Sequence, residues 1–273
     1  MEFTETQKQR LRELGYKGEF PELDTKEEVN EAYSQLEKKL RKKHRKKLND
    51  LFESKKPTWK NTVENIRQNL QDLGFIEVQT PLIISKNLLK KMKIDQKSDL
   101  MNQVYRINDN KVLRPMLAQN LYKELENFSK LSNRDTIQLF EIGTCFRKEK
   151  GGKDHLNEFK MLNAVELGNF KDKEKRLKEV ISTLFKDFDE YVLEKEKSTV
   201  YGETYDVLVN GTELASCAIG PHQLDEKWDI NRPWIGIGIG IERFTRELNN
   251  SDSTVKAYGR SFVYQDGIRL DIK

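Results

Sequence analysis

The stretch from Phe140 to Val165, FEIGTCFRKEKGGKDHLNEFKMLNAV, sets Arg147 and Glu149 beside a segment that carries Phe159 and one amide, Asn163. A guanidinium fork donates paired hydrogen bonds to a phosphate or a carboxylate, which a lysine cannot reproduce. From Glu158 the residues alternate, with Phe159, Met161, Asn163, Val165 and Leu167 on one strand face and Lys160, Leu162, Ala164 and Glu166 on the other. A buried amide without partners costs roughly 1 to 3 kcal/mol, so either the core or a ligand must satisfy Asn163. Phe159 offers a flat apolar surface and, taken alone, belongs to a core. Further on, Gly236, Gly238 and Gly240 alternate before Glu242 and Arg243. Absent side chains on one strand face let a ligand approach the backbone, although a structural bulge would explain the same glycines. Their spacing does not fit a dinucleotide fingerprint, and no later βαβ unit follows. Glu213 and Ser216 offer oxygen ligands suited to a hard cation, or are simply polar strand residues.

The elements that must position these residues can be read in chain order. Residues 4–14 predict a short helix ended by Gly15, and Thr25 with Glu28 forms a capping box that opens a longer helix reaching about Lys55. That helix carries Lys38, Lys39, Arg41, Lys42, Lys43, Arg45, Lys46 and Lys47 around Leu40, a block that either solvates a helix or binds nucleic acid. From Trp59 the residues Val63, Ile66, Leu70 and Leu73 recur at helical spacing until Gly74, and a strand from Phe75 to Val78 leads to Thr80 and Pro81. A helix is predicted near residues 86–92, then a hairpin of residues 104–107 and 111–114 around Asn108, Asp109 and Asn110. After Pro115, Ala118, Leu121, Tyr122 and Leu125 share one helix face. Residues 171–197 predict a helix whose stripe runs through Leu177, Val180, Ile181, Leu184, Phe185 and Phe188. Tyr201–Val209 and Thr212–Ile219 read as strands joined at Asn210 and Gly211, Trp234–Leu248 as a strand entering a helix, and the tail beyond Tyr258 as a return to the sheet.

A chain of 273 residues with 36% hydrophobic content buries a substantial core and allows one large domain with a small appendage. The net charge of +4 is small against 34% charged residues, so binding to a polyanion must come from local clustering. No run of ~18 apolar residues is present to span a bilayer, and the N-terminus MEFTETQKQR lacks the apolar centre of a signal peptide. A cytoplasmic location with no membrane partner is expected. Cys145 and Cys217 suggest ordinary buried thiols, and with three scattered histidines they make no zinc pattern.

Phe146, Arg147, Lys148, Glu149 and then Phe159 resemble the second signature motif of class II aminoacyl-tRNA synthetases, and Gly236, Gly238, Gly240, Glu242 and Arg243 resemble the third. The long helix and strand that end at Pro81 resemble the first, which in that family builds a dimer interface. The closer similarity, through RPMLAQNLY, FRKEKGGKDHLNEFKMLN, VYGETYDV and PWIGIGIGIER, is to the catalytic domain of the pyrrolysyl-tRNA synthetase family and runs from about residue 58 onward. It implies an α+β class II synthetase fold, an antiparallel sheet flanked by helices with a small N-terminal helical region. It also implies a division into residues 1–57, helical, basic and tRNA-contacting, and residues 58–273, catalytic. The chain is then expected to be the form of the family that lacks a separate N-terminal RNA-binding domain.

The implied reaction is ATP-dependent activation of pyrrolysine and its transfer to tRNA(Pyl) by a homodimer, with ATP as substrate and Mg2+ as cofactor. By this resemblance Arg147 holds the α-phosphate and the substrate carboxylate, and Arg243 meets the far end of the triphosphate. Phe159 stacks on adenine, Glu149 accepts from the adenine amino group, and Glu213 and Ser216 hold magnesium. The amino-acid cavity is lined by Ala118, Leu121, Tyr122, Leu125, Met161, Asn163, Val165, Tyr201, Trp234 and Gly236, a set with no carboxylate for a lysine ammonium. That favours a long uncharged side chain whose carbonyl Asn163 recognises. Val165 stands where cysteine is expected, and Gln119 where proline is expected. His155 is expected to contact phosphate or RNA. The resemblance also tips the basic helix toward RNA, with Lys42, Lys43, Lys46 and Lys47 as the tRNA-binding residues. Two alternatives stay open, a phenylalanyl-type relative with a short aromatic pocket and a paralogue that has become a binding module. The presence of Arg147, Glu213 and Arg243 speaks against the second.

Overall fold

A computed structural model describes residues 1–96, 98–149, 155–198, 201–251 and 253–271. Of the charged, glycine-containing break after Phe146, residues 150–154 lie outside the described residues. The chain opens with α1 (Glu5–Glu13) and α2 (Lys26–Ser54), and each begins in a capping box. Thr25 accepts from Glu28 N, while Glu28 reaches back to the N–H of Thr25. These helices share a small core of Phe3, Leu11, Leu14, Val29 and Leu40. Pro57 supplies no side-chain cap to α3 (Thr58–Asp72), whose first N–H is instead taken by the carboxylate of Asp266. At the other end Gly74, with φ of 92°, lets Phe75 N donate back to Leu70 O and closes the helix.

After α3 come β1 (Ile76–Glu77), β2 (Ile83–Ser85), α4 (Lys86–Lys91), α5 (Asp99–Gln103), β3 (Lys111–Leu113) and α6 (Ala118–Leu131). The chain continues with β4 (Ile137–Phe146), β5 (Glu158–Leu167), α7 (Lys173–Leu184), β6 (Val192–Ser198), β7 (Gly202–Val209) and β8 (Thr212–Ile219). It closes with β9 (Trp234–Gly240), α8 (Ile241–Leu248), β10 (Tyr264–Gln265) and β11 (Ile268–Arg269). Among the described residues the main sheet has seven strands in the order β1-β4-β5-β9-β8-β7-β6. Only the β1–β4 pair in it is parallel. The period-two alternation of β5 sends Leu162 and Ala164 into a core shared with α3, α7 and α8. Val165 and Leu167 join a second core with α6 on the opposite face. The predicted α+β arrangement, a largely antiparallel sheet flanked by helices, is therefore the observed one.

Three local expectations are corrected. The segment 171–197 is not one helix: α7 stops at Leu184, once its apolar stripe has entered the core, and Val192–Ser198 forms the edge strand β6. The sequence VLEKEKS suits a charged strand edge as well as a helix surface, and pairing with β7 decides between them. Residues 104–107 do not form a regular hairpin with 111–114. β3 pairs with β2, leaving one bridge between Arg106 and Val112, while the Asn108 side chain accepts from Asn110 N and Lys111 N to shape the turn. Finally, the tail does not rejoin the sheet but makes the separate hairpin of β10 and β11.

Candidate active site

One face of the sheet, covered by α6, encloses a cavity of about 500 Å³. β5 supplies Phe159, Met161, Asn163 and Val165, and α6 supplies Ala118, Leu121, Tyr122 and Leu125. Arg147 and Glu149 enter from the end of β4, Glu213 and Ser216 from β8, Trp234 and Gly236 from β9, Arg243 from α8, and Tyr201 from the start of β7. The residues expected from sequence to meet nucleotide, amino acid and metal thus line one space. Gly236, Gly238 and Gly240 face it too, and the register of β9 against β5 is continuous across them, so no bulge accounts for the glycines. A Cβ at Gly238 would stand 3.3 Å from Asn163 Nδ2, and one at Gly236 would stand 3.1 Å from Trp234 Cζ3. These glycines keep room for the side chains of their neighbours.

The charged end of the cavity is built around Arg147. Its Nε donates to Pro115 O at 2.8 Å, and its Cζ lies 5.3 Å from the centroid of the Phe159 ring. Burial lowers the pKa of this guanidinium. Arg243 Nη1 donates to Glu213 O at 2.9 Å, and the Glu213 carboxylate lies 3.9 Å away. Burial, followed by repulsion from Asp206, raises the pKa of Glu213, while Arg243 and Arg147 oppose the rise.

Residues three apart on a regular strand face opposite ways, yet Glu213 and Ser216 both line the cavity. A bulge between Val207 and Leu208 of β7 leaves Leu214 as the extra residue of β8, which returns Glu213 to the face of Ser216. These two oxygens fit a partial site for a hard cation, to be completed by ligand oxygens or water. Among the described residues no group of three or more His, Cys, Asp or Glu could hold a metal ion by itself.

The other end is aromatic. Tyr122, Tyr201 and Trp234 stand edge to face, with ring centroids 5.9 and 5.8 Å from Trp234. Behind them lies Asp225, which accepts hydrogen bonds from Tyr122, Trp234 and the backbone of His222. Burial raises the pKa of both tyrosines. Between the two ends, Asn163 Oδ1 is buried with no hydrogen-bond partner. Gln119 is itself buried and donates to Met116 O and to Asn120 Oδ1, while Asn120 ties the helix start to Thr80 and Pro81. It stitches the entry of α6 to the motif around Pro81.

Two residues of the site are given no role by the sequence, Asp225, which it does not point to at all, and Glu242, which enters only as part of the third motif. Asp225 belongs to a short 3-10 turn whose bonds reach back to α6. Glu242 precedes Arg243 and is buried, and both its oxygens accept from Lys160 N at 2.9 and 3.0 Å. Burial pushes its carboxyl up to about 7. The glycine-to-arginine run gave a signal for Glu242; nothing local gave one for Asp225.

His155 lies at the cavity, exposed. Cys145 and Cys217 are buried free thiols. Lys42, Lys43, Lys46 and Lys47 lie outside this space, on α2. Lys43 and Lys47 line a separate cleft of about 580 Å³ between α2 and the C-terminal hairpin, and burial, then Lys43, lowers the pKa of Lys47. Among the described residues no helix is long and apolar enough to cross a membrane.

Two kinds of similarity bear on this arrangement. The family of phenylalanyl tRNA synthetase beta chain CLM domains matches residues 49–239. The crystal structure of pyrrolysyl-tRNA synthetase from Desulfitobacterium hafniense is 39% identical, with a TM-score of 0.91 over 99% of this chain and 98% of that chain. A second structure, of Desulfitobacterium hafniense PylSc, a pyrrolysyl tRNA synthetase, is likewise 39% identical, with a TM-score of 0.90 over the same shares.

Proposed function

Because the chain belongs to the pyrrolysyl-tRNA synthetase family, we propose that it activates pyrrolysine with ATP and transfers it to tRNA(Pyl). Activation joins the amino-acid carboxylate to the α-phosphate and expels pyrophosphate, so charge developing at phosphorus must meet donors already in place. In this reading the Nη atoms of Arg147 bind the α-phosphate and the carboxylate, and Arg243 meets the far end of the triphosphate. Phe159 supports the adenine ring and Glu149 accepts from its amino group. Glu213 and Ser216 would hold magnesium, which when bound would offset the charge of the phosphates. A carboxylate attacks without losing a proton, so no general base is required and His155 serves as a phosphate or RNA contact.

The observation that carries the choice of amino acid is the unpartnered Oδ1 of Asn163 in an otherwise aromatic and aliphatic space. A side-chain amide offers both a carbonyl to the Asn163 NH2 group and an N–H to its oxygen. Asp225 already receives three hydrogen bonds and stands behind the aromatic wall, so a lysine ammonium would find no free counter-charge there. Pyrophosphate exchange with ATP tests the reading. Exchange that depends on pyrrolysine is expected. Exchange driven by phenylalanine instead, or no exchange with any amino acid, overturns it.

The same reading makes the protein a cytoplasmic homodimer, with residues 1–57 contacting tRNA and residues 58–273 catalytic. Ile76, Leu82 and Ile83 are exposed around the step from Thr80 to Pro81, an apolar surface that a second copy would cover. Lys42, Lys43, Lys46 and Lys47 supply the tRNA contacts. A dimer mass in sedimentation that becomes monomeric in I83E supports this assignment, and an unaffected mass overturns it.

A further inference from the structure

We propose that Asp225 is the positioning residue that fixes the aromatic wall of the cavity and thereby decides which amino-acid side chains enter, a role that rests on the amino-acid reading above. Asp225 is 1% exposed and touches the cavity only through other residues. Its Oδ1 accepts from the Tyr122 hydroxyl at 2.8 Å, and its Oδ2 accepts from Trp234 Nε1 and from His222 N, both at 2.7 Å. A carboxylate has acceptor sites for all three donors at once, which a hydroxyl does not.

The rings held this way come from separate parts of the chain. Tyr122 lies on α6 and Trp234 on β9, and the hydrogen bond joining Tyr122 to Asp225 spans 103 residues of sequence. The turn that carries Asp225 also places Trp228, whose ring stacks on Tyr122 at 5.4 Å with an interplanar angle of 30°. Tyr122 is therefore gripped by ring and hydroxyl from one short turn. Trp234 is confined as tightly. A Cβ at Gly220 would fall 2.0 Å from its Nε1, and one at Gly236 would fall 3.1 Å from its Cζ3. The indole has backbone on both sides, and its N–H points at Asp225. Tyr201 and the His222 ring pack edge-on against that indole, at 5.8 and 5.6 Å. An aromatic ring otherwise chooses among staggered rotamers; a fixed acceptor at its polar tip selects one.

The conservative variant separates position from charge. In D225N the amide oxygen can still accept from Trp234 and His222 while its NH2 group donates to the Tyr122 oxygen, so the wall keeps its place. In D225A the hydroxyl and the indole N–H lose their acceptor and the rings gain rotamers. The test uses the full chain and pyrophosphate exchange with pyrrolysine and with Nε-acyl-lysines of increasing acyl size. Alongside it, the indole N–H resonance of Trp234 is followed by NMR, assigned through W234F. Expected for D225A is a KM for pyrrolysine raised about tenfold or more, a KM for ATP within about twofold of the parent, and relative gains for the bulkier acyl-lysines. D225N should stay within about threefold of the parent. The indole resonance should move in D225A and stay close to its parent position in D225N.

If D225A does not fold, Y122F releases the same ring from Asp225 and should shift the acyl-lysine profile in the same direction by a smaller factor. An unmoved Trp234 resonance in folded D225A, or an unaltered profile in Y122F where D225A does not fold, overturns the proposal. So does a loss that lowers kcat and raises both KM values alike. Failure of the parent chain to exchange with any lysine derivative would overturn the assigned substrate alone, because the indole resonance reports on Asp225 without an amino acid present.

Discussion

Arg147 Nε donates to the carbonyl of Pro115 across 2.8 Å, so the guanidinium of motif 2 is anchored by the loop that leads into α6. That loop is itself held. Phe146 N donates to Arg114 O, and the Arg114 side chain reaches Glu141 at 2.7 Å and Thr144 O at 2.8 Å in the interior of the sheet. Only a glycine fits at position 143, since a Cβ there would fall 2.1 Å from Arg114 Nη2. With its Nε spent on structure, Arg147 keeps its Nη atoms for the role in the reaction proposed above. Replacement by alanine is expected to lower activation by ~3 to 4 kcal/mol, the scale of one lost oxyanion donor. R147K should recover little, because one ammonium cannot serve both Pro115 and a forked ligand. Single-turnover adenylate formation measures this, and a folded R147A within roughly tenfold of the parent removes Arg147 from the reaction.

Asn163→Ala should change the choice of amino acid more than the binding of ATP. The unpartnered oxygen of Asn163 lies between the arginine end and the aromatic end, on the strand face that also carries Phe159. Exchange kinetics for a set of lysine derivatives, some with a side-chain carbonyl and some without, should lose their preference for the carbonyl. An asparagine that served only the core would behave differently: the melting temperature would drop and every substrate would suffer alike.

Much of the site was legible because its elements announce themselves locally. The alternation of β5 put Phe159, Met161, Asn163 and Val165 on one face, and the turn residues Asn210 and Gly211 have the positive φ values of 50° and 74° that a tight hairpin needs. What sequence could not supply were contacts between distant residues. Nothing near Asp225 points to Tyr122 or Trp234, and nothing near Pro57 points to Asp266. Local pattern also misled or fell short. The charged run of β6 has no apolar period strong enough to distinguish a strand from a helix. The spacing of Glu213 and Ser216 suits opposite faces until the bulge at Leu214 is known.

The cap of α3 lies at the far end of the chain. Asp266 accepts from Thr58 N and from Thr58 Oγ1, each at 2.8 Å, across a separation of 208 residues. D266A is expected to lower stability by about 1 kcal/mol, the usual scale of a lost helix N-cap, with D266N milder. Urea unfolding monitored by circular dichroism should show the loss while exchange at low temperature stays near the parent rate. Equal stability of D266A and parent would show that the hairpin contributes nothing to the start of α3.

Glu242 ties the start of α8 to the Lys160 N–H, and its carboxyl is pushed up to about 7 by burial. The folded chain thus holds this proton more tightly than the unfolded chain, whose carboxyl has the ordinary value near 4.5. The associated stability is full below that ordinary value and is lost as pH rises through about 7. E242Q removes the titration. The stability of E242Q relative to the parent should therefore climb with pH across this window, by on the order of 1 kcal/mol per pH unit, and level off above it. A difference that stays flat from pH 4.5 to 8 would mean that Glu242 keeps its ordinary value in the fold.

The basic stretch of α2 gives the last prediction. All four lysines are exposed, and Lys43 and Lys47 also border the cleft against the C-terminal hairpin, so the lysines do not share one face. If they meet tRNA phosphates, affinity should fall with salt along a slope near −0.9 per neutralised phosphate in a duplex. Neutralising Lys42, Lys43, Lys46 and Lys47 together should flatten that slope and weaken tRNA binding. Amino-acid activation without tRNA should hold, because these residues lie outside the cavity that holds Arg147 and Arg243. The structure adds a finer expectation. Lys47 is crowded by Lys43 and partly desolvated, so removing its charge relieves repulsion within the fold, and K47Q should not lose stability even as it weakens RNA binding. A quadruple variant that binds tRNA with unchanged affinity and an unchanged salt slope would make this stretch a solvated helix face and place recognition elsewhere on the protein.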